Sequence, residues 1–206
     1  MRFIVSYCFL FLATSSFAQT KAVTENGDEV LLNNDGTWEY LKEIYNHFDS
    51  IPTNAQLFKK AAGLTFSINS KVIPISIFYN TSKWTISKAD SPLEYKFNHK
   101  KSEIYGMLIS EKIEVPIENL RDIAYQNALT VAPNCQIIKE DFRMVNGKKV
   151  FFMQMNGTTQ GVKFSYLGYY YSDENGTFQL VTYTSQNLLA KVQPEMFELL
   201  NGVVIP

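Results

Sequence analysis

The clearest fold signal in the sequence is the segment "VNGKKVFFMQMNGTTQGVKFSYLGYYYSDENGTFQLVTYTS", residues 145–185. It carries Asn-Gly dipeptides at 146–147, 156–157 and 175–176, separated by runs rich in β-branched and aromatic residues. Asn-Gly supplies the positive φ that a tight hairpin turn needs, and such runs are typical of strands. Together with the preceding run, "QIIKEDFRMV" (residues 136–145), this stretch predicts a four-stranded antiparallel meander.

Runs of similar composition precede the meander and predict five more strands. They are "LTFSINS" (64–70), "VIPISIFYN" (72–80), "KWTISKA" (83–89), "LEYKFNH" (93–99) and "IYGMLISEKIEV" (104–115). Between them and the meander the hydrophobic period changes to three and four residues, the spacing of an amphipathic helix. The apolar positions of that helix are Ile117, Leu120, Ala124, Ala128 and Val131.

Prolines lie at predicted ends of the helical segments. Pro116 stands in the first turn, where proline is favoured, and Pro133 ends the helix. A second helix is predicted over roughly Pro194–Leu200, again with a proline at its start and with Asn201-Gly202 after its end.

The first 18 residues have the order of a secretory signal peptide. Arg2 precedes an apolar run over residues 3–13, and the small-x-small ending Ser-Phe-Ala occupies residues 16–18. This order predicts cleavage after Ala18, since the apolar run is too short to span a bilayer comfortably. The alternative is a short N-terminal anchor that stays uncut. Cys8 lies inside the apolar run, so no lipid anchor is predicted.

Residues 19–41 are predicted to form a small β-hairpin unit. Asn26-Gly27 and Asp35-Gly36 are turn signals, and β-prone runs lie between and after them. A two-stranded hairpin is marginally stable on its own, so it must dock on another part of the chain. Trp38 and Tyr40 are the side chains predicted to do so.

Residues 42–63 are predicted to be a linker, and the main domain is predicted over residues 64–206. Within the linker, "PTNAQLFKKAAG" (52–63) could form a short helix. Thr53 would be its N-cap and Gly63 would follow its end.

Composition argues against several classes of partner. The chain has 19 Lys+Arg and 20 Asp+Glu, a formal net charge of −1. Nucleic acid and anionic lipid are bound by clustered basic residues, whereas the lysine pairs here stand among acids. No second apolar stretch approaches membrane-spanning length, so no membrane insertion is predicted after cleavage. Cleavage would leave one cysteine, Cys135, which cannot form an internal disulfide.

The succession of predicted elements resembles that of Mog1/PsbP-like domains over about residues 64–205. "IFYNTSKWTIS" (77–87) resembles the family's early strand–turn–strand with a buried tryptophan, here Trp84. "MLISEKIEVPIENLRDIAYQNAL" (107–129) resembles its strand leading into the long helix, and "VNGKKVFFMQM" (145–155) the hairpin that follows. Separately, "GDEVLLNNDGTWEY" (27–40) resembles a short N-terminal segment found in exported proteins of Gram-negative bacteria.

The resemblance implies an α+β fold, an antiparallel sheet flanked by helices in an α/β/α sandwich. Members of the wider fold include a binder of a small GTPase, an extrinsic photosystem subunit and bacterial envelope proteins. The resemblance therefore implies the binding of other proteins rather than catalysis, although a fold by itself does not fix a function.

The sequence shows no convergent catalytic or metal-binding set. His47, His99 and Cys135 are far apart and lack ligand spacing, and no phosphate-binding loop or nucleophile elbow occurs. His99 is interpreted as an exposed turn residue. Cys135 is interpreted as a small apolar filler, because nothing nearby in the sequence would activate its thiol.

The tyrosines of residues 163–185 have two interpretations. Side chains alternate along a strand, and both faces of the run 162–171 are substantially apolar, which is typical of a sheet covered on both sides. Helices would then cover the tyrosines. The alternative is an uncovered patch, where tyrosine is a favoured interface residue. Tyr169 and Tyr171 are the candidates for such a surface, because their strand face is less uniformly apolar.

These observations predict a non-enzymatic binding or assembly module, exported to the periplasm, the outer membrane or beyond. Its predicted partner is another envelope protein, with no cofactor, metal or nucleic acid. The alternative function is small-ligand binding in a gap between sheet and helix, with Trp84, Tyr169 and Tyr171 as candidate binding residues. A third possibility is an enzyme that uses carboxylates which the sequence does not locate.

Overall fold

The computed structural model describes residues 20–24, 29–33, 35–41, 48 and 50–206. The predicted signal peptide and the predicted turn at Asn26-Gly27 lie outside the described residues, as does part of the predicted linker. The chain divides into two compact units, with the division between Ser50 and Ile51.

The first unit contains a three-stranded antiparallel sheet. Its strands are β1 (Thr20–Val23), β2 (Glu29–Leu32) and β3 (Trp38–Tyr40), in the order β1-β2-β3. The turn between β2 and β3 has Gly36 at a φ of 85°, and the Asn33 N–H donates to the Thr37 carbonyl at 2.8 Å. Asp35 accepts from the Thr37 N–H at 2.9 Å, so Asp-Gly forms the turn that its chemistry favours.

The second unit holds the remaining strands and two helices. Its strands are β4 (Thr53–Phe58), β5 (Phe66–Asn69), β6 (Ser76–Tyr79), β7 (Trp84–Lys88), β8 (Leu93–His99), β9 (Tyr105–Glu111), β10 (Gln136–Val145), β11 (Lys148–Thr159), β12 (Val162–Asp173), β13 (Gly176–Ser185) and β14 (Val203–Val204). Its helices are α1 (Ile117–Val131) and α2 (Gln186–Leu200).

The main sheet is mixed rather than purely antiparallel. Its eight strands have the order β4-β10-β11-β12-β13-β9-β8-β7, and β4 pairs parallel to β10. The other neighbours pair antiparallel. A separate three-stranded sheet has the order β14-β6-β5. The α+β class is confirmed, with a large mixed sheet as its main feature.

The predicted meander β10–β13 is confirmed, but one of its turns lies elsewhere. Asn146 and Gly147 form the first turn with φ values of 49° and 89°. The second turn uses Gln160 and Gly161, with φ values of 49° and 79°, whereas Asn156 pairs within β11. Pairing with β12 extends β11 past the Asn-Gly dipeptide to Thr159, so the long ladder outweighs the local turn preference.

Strand β4 occupies the segment for which the sequence allowed a short helix. The Phe142 N–H donates to the Pro52 carbonyl, and the Asn146 N–H donates to the Phe58 carbonyl, both at 2.9 Å. These bonds to a distant strand stabilise an extended conformation that local capping signals do not reveal. The helical option over residues 52–63 is therefore wrong, and the compact unit begins before the predicted Leu64.

The long helix is confirmed, and the closing helix is longer than predicted. α1 follows Pro116 and buries Leu120, Ala124 and Ala128 of the predicted apolar stripe, whereas Val131 at its end is 51% exposed. α2 begins at Gln186, so Pro194 lies inside it rather than at its start. The buried residues Val192, Met196, Leu199 and Leu200 continue one face through the proline, so packing outweighs the lost backbone bond. Among the described residues, no helix is both long and apolar enough to cross a membrane.

A single helix cannot cover one face of this sheet. A helix with its side chains is about 10–12 Å wide and strands lie about 4.8 Å apart, so one helix covers two or three strands. α2 contacts β12, β13 and β6, and its face shares one core with Ile77 of β6 and Val203 of β14. α1 contacts β12, and its Arg121 pairs with Glu140 of β10. The expectation that helices cover both faces therefore holds only for part of the sheet.

Candidate binding surface

A row of aromatic rings crosses three neighbouring strands on the face that carries α1. The row consists of Phe164 and Tyr166 on β12, Tyr183 on β13 and Tyr105 on β9, and we refer to it as the tyrosine row. Tyr166 lies opposite Tyr183, and Tyr183 lies opposite Tyr105. Successive ring centroids are 4.6, 5.4 and 5.4 Å apart. Strand register alone brings these rings together.

Exposure rises along the tyrosine row, away from α1. Phe164 is 6% exposed and lies near the end of α1. A Cβ added to Gly157 would be 3.0 Å from the Phe164 ring and also 3.0 Å from Ala132, the residue that follows α1. Tyr166 and Tyr183 are half-buried, and Tyr105 is 41% exposed. The row therefore begins beneath the end of α1 and runs out onto an open part of the sheet.

The open part continues across β9, β8 and β7. On this face the three strands present exposed or half-buried side chains, which are Tyr105, Met107, Ile109, Lys96, Asn98, Thr85 and Ser87. On the opposite face the same strands bury Trp84, Phe97 and Leu108, each at most 2% exposed. This end of the sheet is thus packed on one face and open on the other, and we call the open side the open face.

The character of the open face is aromatic and weakly charged. Burial raises the pKa of Tyr166 and of Tyr183, so both phenols are neutral at physiological pH. Of the seven open-face side chains named above, one is charged, namely Lys96. Tyrosine enrichment with few charges is the composition of protein–protein interfaces.

Two of the three predicted binding residues are buried in the core. Trp84 is 2% exposed and Tyr169 is 0% exposed, and both belong to the core beneath α2. The Tyr169 hydroxyl donates to Asn201 Oδ1 at 2.7 Å, which satisfies it internally. Neither ring presents surface to a ligand in this conformation.

The third predicted residue, Tyr171, lies at a small cavity. The Tyr171 hydroxyl donates to Asp173 Oδ2 at 3.1 Å, and both side chains line the cavity together with Ile73 and Ile205. Its volume is about 30 Å³, enough for a water molecule or two. Ligand pockets are typically about 300–1,000 Å³, so this cavity is too small for an organic ligand.

A buried ion pair lies under an aromatic cage on the α2 side of the sheet. Arg143 Nε lies 2.6 Å from Asp141 Oδ1, and both side chains are 4% exposed. The guanidinium lies over the Phe152 ring, 3.4 Å from its centroid, and Phe58 and Phe197 are about 5 Å away. The ion pair is closed to solvent, and we interpret its role as structural, because Arg143 is paired with Asp141 and stacked on aromatic rings inside the core.

Of the residues screened for catalysis, Cys135 and His99 show no catalytic arrangement, and His47 lies outside the described residues. Cys135 is buried, and burial raises the pKa of its thiol, which disfavours the nucleophilic thiolate. Burial lowers the pKa of His99, whose ring lies 5.0 Å from that of Trp84. Within the described part of the chain, no three His, Cys, Asp or Glu residues are grouped to hold a metal ion.

The sequence held a signal for part of the tyrosine row. Asp173 lies opposite Gly176 across the β12–β13 turn, and counting back along both strands places Tyr166 opposite Tyr183. Tyr105 could not be found in this way, because β9 reaches β13 only through α1 and the meander. The open face also depends on the sheet order, which local patterns do not give.

Comparison with known proteins supports the fold. No protein-family model and no curated protein matches the chain. The solution structure of cyanobacterial PsbP from Synechocystis matches with a TM-score of 0.56 at 9% identity, over 71% of this chain and 95% of that one. LpqN of Mycobacterium tuberculosis, described as involved in cell envelope biogenesis, matches with a TM-score of 0.48 at 9% identity, over 68% and 88%.

A protein of unknown function from Pseudomonas aeruginosa, described as a putative regulator, matches with a TM-score of 0.43 at 10% identity, over 70% of this chain and 98% of that one. The PsbP match alone has a TM-score above 0.5 among these three, and at 9% identity it shows the fold and nothing further. The chain thus has a PsbP-like α+β fold, as the sequence resemblance implied.

Proposed function

We propose that this protein is a non-enzymatic binding module that docks another protein on its open face. The observation that carries the proposal is the tyrosine row, which runs from beneath α1 to the 41% exposed Tyr105. Tyrosine side chains give large contact area at low entropic cost, because they have few rotatable bonds. Partly buried rings are already held in place, which lowers the cost of binding further.

The arrangement of the rings favours a protein over a sugar as the partner. Tyr105 and Tyr183 are stacked, with 26° between their planes, so each covers one face of the other. A sugar that stacks on aromatic rings needs free ring faces. A protein surface, by contrast, can use the ring edges and hydroxyls together with the exposed Asn98 and Thr85.

The proposed place of action is the bacterial cell envelope, and the support comes from the sequence. Residues 1–18 have the order of an export signal, and residues 27–40 resemble a segment of exported Gram-negative proteins. The proposed partner is accordingly another envelope protein. The small-ligand alternative is not favoured, because the cavity at Tyr171 has a volume of only about 30 Å³.

Site-specific photo-cross-linking in the cells that export the protein tests this function. A benzophenone amino acid replaces Tyr105, and in a matched control it replaces Phe66, which is 61% exposed on β5. The expected result is a discrete cross-linked product with one polypeptide from position 105 and none from position 66. Mass spectrometry of the product identifies the partner.

A second pair of variants checks that the surface itself binds. For this test the benzophenone amino acid replaces Lys96. Tyr105→Ala should then lower the yield of the cross-linked product, while Phe66→Ala should leave that yield unchanged. Equal cross-linking at positions 105 and 66, or none at either, would overturn the proposal. Thermal unfolding of each variant verifies that the fold is intact.

A further inference from the structure

The main sheet ends in a strand that has no second strand neighbour in the part of the chain that the structure describes. β7 is the last strand in the sheet order, next to β8. The Lys100 N–H donates to the Lys83 carbonyl, and the Ala89 N–H donates to the Glu94 carbonyl, so Lys83 and Ala89 face β8. Because backbone direction alternates along a strand, Trp84, Ile86 and Lys88 direct their main-chain groups away from the sheet.

One of these outward groups is already satisfied. The Trp84 N–H donates to the Asn80 carbonyl at 3.0 Å within the preceding turn. The outward N–H and C=O groups of Ile86 and Lys88 have no hydrogen-bond partner among the residues that the structure describes. Such a row of donors and acceptors, spaced two residues apart, is complementary to an extended polypeptide strand.

The other edge strand of the main sheet, β4, is less suited to pair with a further strand. β4 pairs with β10 through an irregular register, with a shift between Phe142 and Met144. Irregular strands twist away and disfavour edge pairing. β7 pairs with β8 over five consecutive residues without a shift, and it contains neither proline nor glycine.

We propose that β7 pairs antiparallel with β7 of a second copy of this chain, which joins two sheets across a two-fold axis at Ile86. In this register the two Ile86 residues exchange both of their main-chain bonds. Each Lys88 N–H donates to the Trp84 carbonyl of the other copy, an outward group that accepts no hydrogen bond from the residues described in the structure. The register therefore uses the outward main-chain groups of Ile86 and Lys88 and the Trp84 carbonyl. It does not require the Trp84 N–H, which already donates to Asn80.

The side chains of β7 are self-complementary in this register. On the open face Thr85 lies opposite Ser87 of the second copy, a hydroxyl pair of the kind that stabilises neighbouring strands. On the other face Lys88 lies opposite Trp84, so the two lysines do not oppose each other. An in-register parallel pairing would bring the two Lys88 charges together, and the antiparallel register avoids this repulsion.

Charges beside the strand favour the same register. Glu198 of α2 pairs with Lys83 at 2.7 Å, next to Trp84. Glu195 and Glu198 act electrostatically on His99, whose ring contacts Trp84, and Lys83 and Lys101 act on it in the opposite sense. Lys88 of the second copy is thus brought towards these acidic side chains, and Asp90 is brought towards Lys83. Opposite charges meet at both ends of the paired strands.

The dimer has a consequence for the binding surface. The two-fold axis of an antiparallel strand pair is perpendicular to the sheet, so like faces of the two copies lie on the same side. The open faces would join into one platform with a tyrosine row on each half. The pairing concerns the edge of the sheet and does not depend on what binds its face.

Sedimentation velocity across a concentration series from micromolar to millimolar tests the pairing. Lys88→Pro removes the outward N–H at an exposed position, where an edge strand tolerates proline. Through the two-fold axis it deletes two inter-strand bonds, so the dimer dissociation constant should rise by about 10- to 100-fold. Lys88→Arg keeps both the N–H and the charge and should sediment like the original protein.

Cysteine cross-linking provides a readout that leaves every main-chain hydrogen-bonding group of β7 in place. Ile86→Cys would place the two thiols on a hydrogen-bonded pair with Cα atoms about 5.5 Å apart, within the range that a disulfide spans. Mild oxidation should give a disulfide-linked dimer, while Gln56→Cys on β4 should not. A protein that stays monomeric at every concentration, or equal cross-linking at positions 86 and 56, would overturn the proposal.

Discussion

At the scale of single residues, Gly202 lies where α2 leads into β14 and has no room for a side chain. A Cβ there would lie 2.0 Å from the Phe78 carbonyl oxygen, a backbone atom that cannot move aside. The Phe78 N–H also donates to the Gly202 carbonyl at 2.8 Å, which holds the two segments together. We expect Gly202→Ala to lower the free energy of unfolding by about 2–4 kcal/mol, measured by urea unfolding.

Gly63 provides the matched control for this substitution. No atom lies within 4 Å of the Cβ that alanine would place there. Gly63→Ala should be neutral or stabilise the protein by up to about 1 kcal/mol, because it reduces the freedom of the unfolded chain. Equal losses of stability for the two variants would show that close contact with Phe78 is not the reason for glycine at position 202.

Tyr169 makes the stability of the protein sensitive to alkaline pH. Burial raises its pKa from 10.0 to about 12. Between pH 10 and pH 12 the phenol ionises in the unfolded chain but stays protonated in the folded one. The unfolding free energy should therefore fall by roughly 1 kcal/mol per pH unit in this window from Tyr169 alone. Urea unfolding at several pH values measures the slope.

Two variants separate ionisation of Tyr169 from its hydrogen bond to Asn201. Tyr169→Phe should be less stable at neutral pH but should show a smaller decline above pH 10. Asn201→Ala removes the side-chain acceptor, 2.7 Å from the hydroxyl, but keeps the phenol, so its decline should persist. An unchanged slope in Tyr169→Phe would contradict the assignment.

At the scale of elements, the β11–β12 turn carries a residue that is poorly suited to its backbone. Gln160 has a φ of 49°, a left-handed conformation in which asparagine is favoured over glutamine. Asn146 occupies the equivalent place in the β10–β11 turn with the same φ. We expect Gln160→Asn to stabilise the protein by about 0.5–1 kcal/mol, measured by thermal unfolding.

The converse change at the first turn should cost more than turn preference alone. Asn146 Nδ2 donates to the carbonyls of Asn201 and Val203, so the side chain ties the hairpin to the end of α2 and to β14. Asn146→Ala should therefore be clearly destabilising, while Gln160→Ala should change stability little. If the two alanine variants lose the same stability, the role of the Asn146 side chain would be contradicted.

At the scale of the whole molecule, the domain boundary is a testable feature. The second compact unit begins at Ile51 and includes β4, the parallel neighbour of β10. A fragment of residues 51–206 should fold with a single cooperative transition. A fragment of residues 64–206 should be markedly less stable, because it exposes the edge of β10. Urea unfolding of both fragments compares them, and equal stability would show that β4 is dispensable.

Local sequence patterns were sufficient to predict the features that depend on neighbouring residues. These are the succession of most strands, the meander, and the helix over Ile117–Val131, whose apolar spacing and flanking prolines are local signals. The resemblance also gave the fold class, which the PsbP match supports. Three of the four members of the tyrosine row could be predicted, since the β12–β13 hairpin fixes Tyr166 opposite Tyr183 and Phe164 lies on the same face of β12.

Which tyrosines are exposed depends on long-range packing and could not be predicted from local patterns. The predicted Tyr169 lies in the core, while Tyr105 is exposed, because one helix is too narrow to cover eight strands and α1 lies over the β10–β12 side. The parallel strand β4 and the free edge of β7 likewise follow from pairings between distant segments. Such pairings depend on how the sheet assembles, and no local pattern of residues encodes that order.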